Sequence, residues 1–289
     1  MRTLLALCCA AVALSGCIII TPNDGDIRYT SDAGSSTAGN QQTIRDERPV
    51  SSVNGLDIDM MSRADLRIEV RVGPASSLAI EADSNLQPLI HSDINGDTLR
   101  IWSDKNLRSN NGITIVYTTP QLNKISVSGP GRLVATGLNG QDLSLVQRGS
   151  LKSELSGNVT HLDIANYGSG TINATALNSG NSDAVVNGSG RINLGNVRGE
   201  RVNIAVNGSG SISASGAVQR LDANLNGSGN LNLATLNSDT AYLASNGSGN
   251  IDATSLKEVN ARAAGSGRIS VHGNPAKSTV SGTRVSIVR

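Results

Sequence analysis

Gly-Ser-Gly begins at Gly168, Gly188, Gly208, Gly227, Gly247 and Gly265, so one corner returns after 20, 20, 19, 20 and 18 residues. A fixed period of this length marks a repeat architecture, in which each repeat is one unit of structure set against the next. The period outruns the strict copies. Gly149 in QRGS and Gly129 in VSGPG lie 19 and 39 residues before Gly168, and Gly282 in VSGT lies 17 after Gly265. Nine corners separated by eight intervals result.

Between corners the residues alternate. Two positions after the second glycine stand Ile172, Ile192, Ile212, Leu231, Ile251 and Ile269, and two further on Ala174, Leu194, Ala214, Leu233, Ala253 and Val271. Polar residues fill the gaps, as Asn173, Asn193 and Ser213 do. The approach to each corner repeats this, with Val202, Ile204 and Val206 in one turn and Leu221, Ala223 and Leu225 in the next. A third apolar position follows the first strand at Leu177, Val197, Ala217, Leu236 and Leu256. Period two is the pattern of strands with one buried face.

A single such turn has nothing to bury its apolar side against. Stacked turns do, because each pairs its backbone with the turns above and below and adds one layer to a common core. The expected fold is therefore all-β: a right-handed parallel β-helix (β-solenoid) with about 20 residues per turn, the hand following from the chirality of parallel crossovers. At about 4.8 Å per layer, eight intervals make a column of roughly 38 Å. An antiparallel sandwich is the structural alternative, but it requires hairpin signals between strands and does not hold one register for eight turns.

Composition fits a narrow column. The 289 residues include no Phe, one Trp and four Tyr, against 32 Gly, so the core is built from small and medium aliphatic side chains. Residues 126–289 form the expected solenoid. Residues 49–125 are less regular, with strand-like ADLRIEVRV, SLAIEA, DTLRIWS and GITIVYT and turn signals at Gly73-Pro74, Asn95-Gly96 and Asn111-Gly112. They read as an irregular β section capping the first end. Lys277, Arg284 and Arg289 place charge at the other end, where it discourages further stacking.

The first sixteen residues, MRTLLALCCAAVALSG, have a basic start, an apolar run from Leu4 to Leu14 and small residues after it, the pattern of a secretory signal peptide. Leu14-Ser15-Gly16-Cys17 resembles the lipobox of bacterial lipoproteins. That resemblance implies cleavage before Cys17, its acylation, and an anchor of several acyl chains, which holds a membrane where one chain does not. Cys8 and Cys9 leave with the signal peptide, so Cys17 is the only mature cysteine and no disulfide staples the fold. Residues 17–48, polar and rich in Gly, Ser, Thr and Asp, read as a lipidated flexible tether with a reach of roughly 30 Å. Ile18 rather than Asp after Cys17 directs a lipoprotein of a Gram-negative cell to the outer membrane.

Little in the chain points to chemistry. After loss of Arg2 the mature protein has 23 basic and 23 acidic residues, which gives no footprint for nucleic acid. His91, His161 and His272 are too scattered for a zinc site, and no serine nucleophile has partners. Calcium β-rolls need aspartates at fixed places after their glycines, where Thr171, Arg191, Ser211, Asn230, Asn250 and Arg268 stand instead. A phosphate loop needs a helix after its glycines, and here another strand follows. No cofactor or metal is expected. A carbohydrate-active enzyme, a polysaccharide lyase or hydrolase, is the alternative, with Asp163, Asp183 and Asp222 sharing one position in their turns while Asn203, Tyr242 and Asn260 occupy it in others.

Asn187, Asn207, Asn226 and Asn246 precede four successive corners, which predicts an asparagine ladder bonded from turn to turn, interrupted by Tyr167 and Ala264. The succession RIEVRVGPASSLAIEAD, DTLRIW, ITIVYTTPQLNKISVSGPG and the Gly-Ser-Gly array, over roughly residues 49–282, resembles the bacterial GIN-domain family, described as "putative" autotransporter adhesin heads and catalogued as a domain of unknown function. The resemblance implies export, frequent lipidation and no catalytic residues. The expected protein is a lipid-anchored, non-catalytic envelope module presenting a rigid solenoid for adhesion, scaffolding or interaction with an envelope protein or glycan.

Overall fold

The structure, a computed structural model, describes residues 36–288 apart from Met61 and Arg63. It is a parallel β-solenoid, with no α-helix among the described residues and one 3-10 turn at Gln87–Leu89. From Lys152 onward each turn is nearly one continuous strand, as in Thr171–Gly188, Arg191–Gly208, Ser211–Gly227 and Asn230–Gly247. Successive turns pair in parallel, and the corner keeps strict register: Gly168, Gly188, Gly208, Gly227, Gly247 and Gly265 are partners in sequence.

Within one turn the side chains alternate in three stretches. In Thr171–Gly188, residues 172 and 174, then 177 and 179, then 182, 184 and 186 point inward, with two-residue outward breaks at 175–176 and 180–181. Each turn therefore has three short faces and three corners. The core is Ile, Leu, Val and Ala in register from layer to layer, with Ile172, Ile192, Ile212, Leu231, Ile251 and Ile269 all at most 1% exposed. Burying each such side chain contributes about 1.5–3 kcal/mol, repeated at every layer.

The Gly-Ser-Gly corner is held by backbone. Gly188 O accepts from both Ser209 N and Gly210 N at 3.0 Å. Gly208 has φ +129°, and a Cβ there would sit 2.5 Å from Gly188 O, so both angle and space demand glycine. The second glycine answers to space alone: a Cβ on Gly210 would meet Gly190 O and Val186 Cγ1 at 2.5 Å.

Length variation is absorbed at the next corner instead. Register shifts fall between Ala174 and Ser179, Asn193 and Asn196, Ser213 and Gly216, and Leu233 and Asn237. This corrects two of the expected core positions. Leu177, Val197 and Leu236 are buried, but Gly216 is the register partner of Val197, Ala217 turns outward, and Val218 supplies the side chain. In the 18-residue turn Ser255 takes the inward place and Leu256 is 49% exposed.

The N-terminal section is more regular than its sequence. Gly55–Asp59 pairs in parallel with Lys124–Gly129, and Leu66–Val72 with Arg132–Leu138, so parallel layers begin well before residue 126. The layer outside them comes later in the chain: Thr98–Ser103 pairs with Gly55–Asp59, and Ile113–Thr119 with Leu66–Val72. Antiparallel strands then close the end, Ile90–Asn95 on Thr98–Ser103, Ser77–Asp83 on Ile113–Thr119, and Thr43–Arg48 on Ser77–Asp83. Thr37–Ala38 also pairs, in parallel with Leu107–Arg108. The expected tether accordingly does not reach residue 48. The outermost strand, TIRDER, is charged, and a charged edge resists pairing with another chain.

Candidate functional site

The strict corner carries the asparagine ladder on its outside. Asn207 Nδ2 donates to Asn187 Oδ1 at 2.8 Å, Asn226 Nδ2 to Asn207 Oδ1 at 3.0 Å, and Asn246 Nδ2 to Asn226 Oδ1 at 3.0 Å. Each amide both donates and accepts, so a stack of identical side chains satisfies itself. A second ladder, which the sequence reading missed, joins Asn178 to Asn158 at 2.8 Å and Asn196 to Asn178 at 3.4 Å. Its signal was an asparagine at positions 158, 178 and 196, hidden because the length-absorbing corner breaks the strict period there.

Inside the same corner, the residue two before the first glycine is apolar in most turns, as Val186, Val206 and Leu225 are. Gln147, Asn166 and Ser245 replace it in three turns, all buried. They donate to corner carbonyls: Gln147 to Leu151 O at 2.8 Å, Asn166 to Gly170 O at 2.8 Å and Ser245 to Gly249 O at 3.3 Å. At this corner position each polar replacement thus donates to a backbone carbonyl.

The outer surface of the stretch leading into this corner carries three rows of side chains parallel to the axis. One row runs Lys124, Ser144, Asp163, Asp183, Asn203, Asp222, Tyr242 and Asn260. The structure therefore does bring the three sequence-nominated acids into one column, with Asn203 between Asp183 and Asp222. Asn203 Nδ2 donates to Asp183 Oδ1. Asp163 and Asp183 are direct register partners. Burial raises the Asp163 carboxyl above its ordinary range, the Asp183 charge adds to this, and Ser144 opposes it by hydrogen bonding.

An open groove of about 460 Å3 lies over this part of the row, lined by Lys124, Asp142, Ser144, His161, Asp163, Asp183 and Arg201 among others. His161 is exposed and its Nδ1 lies 3.1 Å from Asp142 Oδ1 in the preceding turn. A smaller groove of about 210 Å3 lies further along the same face, lined by Asp222, Asn224, Tyr242, Asn260 and Arg262. Arg220 joins Asp222 through two bonds, Nε to Oδ2 at 2.7 Å and Nη2 to Oδ1 at 3.0 Å, and its guanidinium lies 4.3 Å from the Tyr242 ring centre. Asp252 stands apart on another face, where its Oδ1 lies 2.6 Å from His272 Nε2. No group of three or more His, Cys, Asp or Glu side chains suited to a metal ion occurs among the described residues. Cys17, the expected lipidation site, lies outside the described residues.

Against this geometry, the sequence matches the family described as "Putative auto-transporter adhesin, head GIN domain" over residues 60–195 and again over residues 174–275. The chain belongs to the GIN-domain family. The two overlapping matches reflect the repeat itself, since one stretch of stacked turns resembles the next. No curated protein matches the sequence. Among solved structures, this GIN-domain protein is similar to a "putative adhesin" from Parabacteroides distasonis, with a TM-score of 0.65 at 17% identity over 88% of this chain and 100% of that one. It is similar also to a "putative lipid binding protein" from the same organism, with a TM-score of 0.62 at 19% identity over 88% and 100%, and to a "putative adhesin" from Parabacteroides merdae, with a TM-score of 0.60 at 17% identity over 88% and 99%. At these identities the likeness is one of fold.

Proposed function

We propose that this GIN-domain protein is a cell-envelope module that uses its solenoid for adhesion or scaffolding, held to a membrane through acylated Cys17. The observation that carries this reading is the outer face just described. Hydrogen-bonding side chains stand there in registered rows over layer after layer, and the same fold recurs in proteins described as a "putative adhesin". Such a surface suits an extended partner contacted at many weak points better than a small substrate held at one. Ile18 after Cys17 favours the outer membrane in a Gram-negative host.

The test is attachment. Bacteria carrying the full chain are compared with bacteria carrying a version ending at residue 48, on host-cell, mucin-coated and isolated-envelope surfaces. The solenoid should raise attachment to at least one of them, and Cys17→Ala should release the protein from the membrane fraction and abolish the gain. Equal attachment with and without the solenoid would sink the reading.

A further inference from the structure

From residue 126 onward the sequence has two large aromatic residues, Tyr167 and Tyr242, and neither is in the core: they are 46% and 38% exposed. Both stand on the face with the three rows. The register carries a third ring to the same face, because Trp102 pairs with Asp59, which leads through Ser128 and Arg148 to Tyr167 and then into the asparagine ladder. Trp102 is half-buried.

Two further regularities appear. Trp102 lies four layers before Tyr167, and Tyr242 lies in the turn four layers after it. At about 4.8 Å per layer the rings stand roughly 19 Å apart along the axis. Each ring also has an arginine over it: Arg100 at 4.8 Å from Trp102, Arg148 at 5.7 Å from Tyr167 and Arg220 at 4.3 Å from Tyr242. A guanidinium over one face of a ring restrains it, so a ligand stacks on the opposite face. The middle row between the rings is low and partly apolar, with Val146, Ala165, Val185 and Ala205, and it is flanked by Asp and Asn side chains.

We propose that this face binds an extended, uncharged glycan chain laid along the solenoid axis, with Trp102, Tyr167 and Tyr242 as stacking platforms. A pyranose ring has an apolar C–H face and a rim of hydroxyls. Its C–H groups meet the electron-rich face of an aromatic ring, while Asp and Asn accept and donate to the hydroxyls. Repetition favours this occupant over a folded protein. Protein interfaces gather their aromatic and arginine anchors at one desolvated centre, and here they are four layers apart along the axis, Trp102 and Tyr167 in one row and Tyr242 four residues across the same face. The proposal rests on the adhesion reading and specifies the class of ligand that the surface holds.

The experiment is affinity electrophoresis of the whole chain in mild detergent, through gels containing the uncharged polysaccharides hydroxyethylcellulose, galactomannan, laminarin or glycogen. At least one should retard the protein. Tyr167→Ala and Tyr242→Ala should each weaken that retardation about fivefold or more, the scale of losing one anchor, with unchanged melting temperature because neither ring packs in the core. Fragments shorter than the ring-to-ring span should compete much less well than longer ones.

Absence of retardation by every polysaccharide would overturn the proposal, as would retardation that neither tyrosine substitution alters. Cross-linking of this face to a protein, without polysaccharide binding, would overturn it in favour of a protein partner. The attachment assay separates the two levels. If the Tyr167→Ala/Tyr242→Ala double variant still promotes attachment while no polysaccharide binds, the glycan assignment fails and the adhesion reading stands.

Discussion

Asn207 Nδ2 donates to Asn187 Oδ1 at 2.8 Å although twenty residues of chain separate them, because one full turn returns the backbone to the same corner one layer on. Asn207 in turn accepts from Asn226 at 3.0 Å. Asn207→Leu breaks both bonds and should cost about 1–3 kcal/mol, taking 0.5–1.5 for each net hydrogen bond. Asn246 makes one ladder bond, to Asn226, so Asn246→Leu should cost about half as much. Thermal denaturation of the two variants without ligand measures the ratio, and equal melting temperatures to wild type would remove the ladder as a source of stability.

Glycine is needed at the corner for two reasons that a pair of substitutions can separate. Gly208→Ala meets a positive φ and a carbonyl 2.5 Å from the new Cβ, and should destabilise by about 2 kcal/mol or more. Gly96→Ala meets φ +60° with nothing within 4 Å, and should cost only about 1 kcal/mol, the left-handed penalty alone. Chemical denaturation midpoints should fall in that order.

Asp163 predicts a pH dependence. Its carboxyl titrates higher in the folded protein than in the unfolded chain, through burial and the Asp183 charge. Between those two values the folded state holds more protons, so stability falls as pH rises through that window and the full penalty applies at neutral pH. Asp163→Asn should therefore raise the melting temperature at pH 7. The gain should shrink as pH is lowered through the carboxylate range and vanish below the unfolded value. A gain that does not change with pH would show that the carboxylate charge is not its cause.

Asn166 is buried, and its Oδ1 has no hydrogen-bond partner among the described residues, while Nδ2 reaches Gly170 O. Gly170 O also accepts from Arg191 N at 3.0 Å and stays satisfied without Asn166. The register partner in the next turn is Val186, fully buried. Asn166→Val should thus stabilise the protein by about 1 kcal/mol, through removal of an unpaired polar atom from the core. A lower melting temperature would mean that the corner depends on this amide.

Much of the fold was legible because the code is repeated. The inward series from Ile172 to Ile269 and the spacing of Gly168 to Gly265 fix a strand period, a turn length and a register together, and chance does not maintain all three. Ala217 and Leu256 were misplaced for a physical reason. The length-absorbing corner has no glycine or apolar residue at a constant offset, so counting from the last Gly-Ser-Gly slips by one or two positions in the turns of 19 and 18 residues. Thr43–Arg48 resembles a tether in sequence because an exposed edge strand is as polar as a linker.

The sequence by itself determined the repeat, the aliphatic core, the corner chemistry and the membership of the four-asparagine column, since each depends on offsets within one turn or on a constant step between turns. The tertiary structure alone decided that Thr98–Ser103 stacks outside Gly55–Asp59, because pairing between irregular segments leaves no periodic trace. It alone set Arg100, Arg148 and Arg220 over Trp102, Tyr167 and Tyr242 on a single face. Parallel stacking turns residues of distant sequence number into neighbours about 4.8 Å apart, and where the step between them varies, only the path of the backbone says which residues those are.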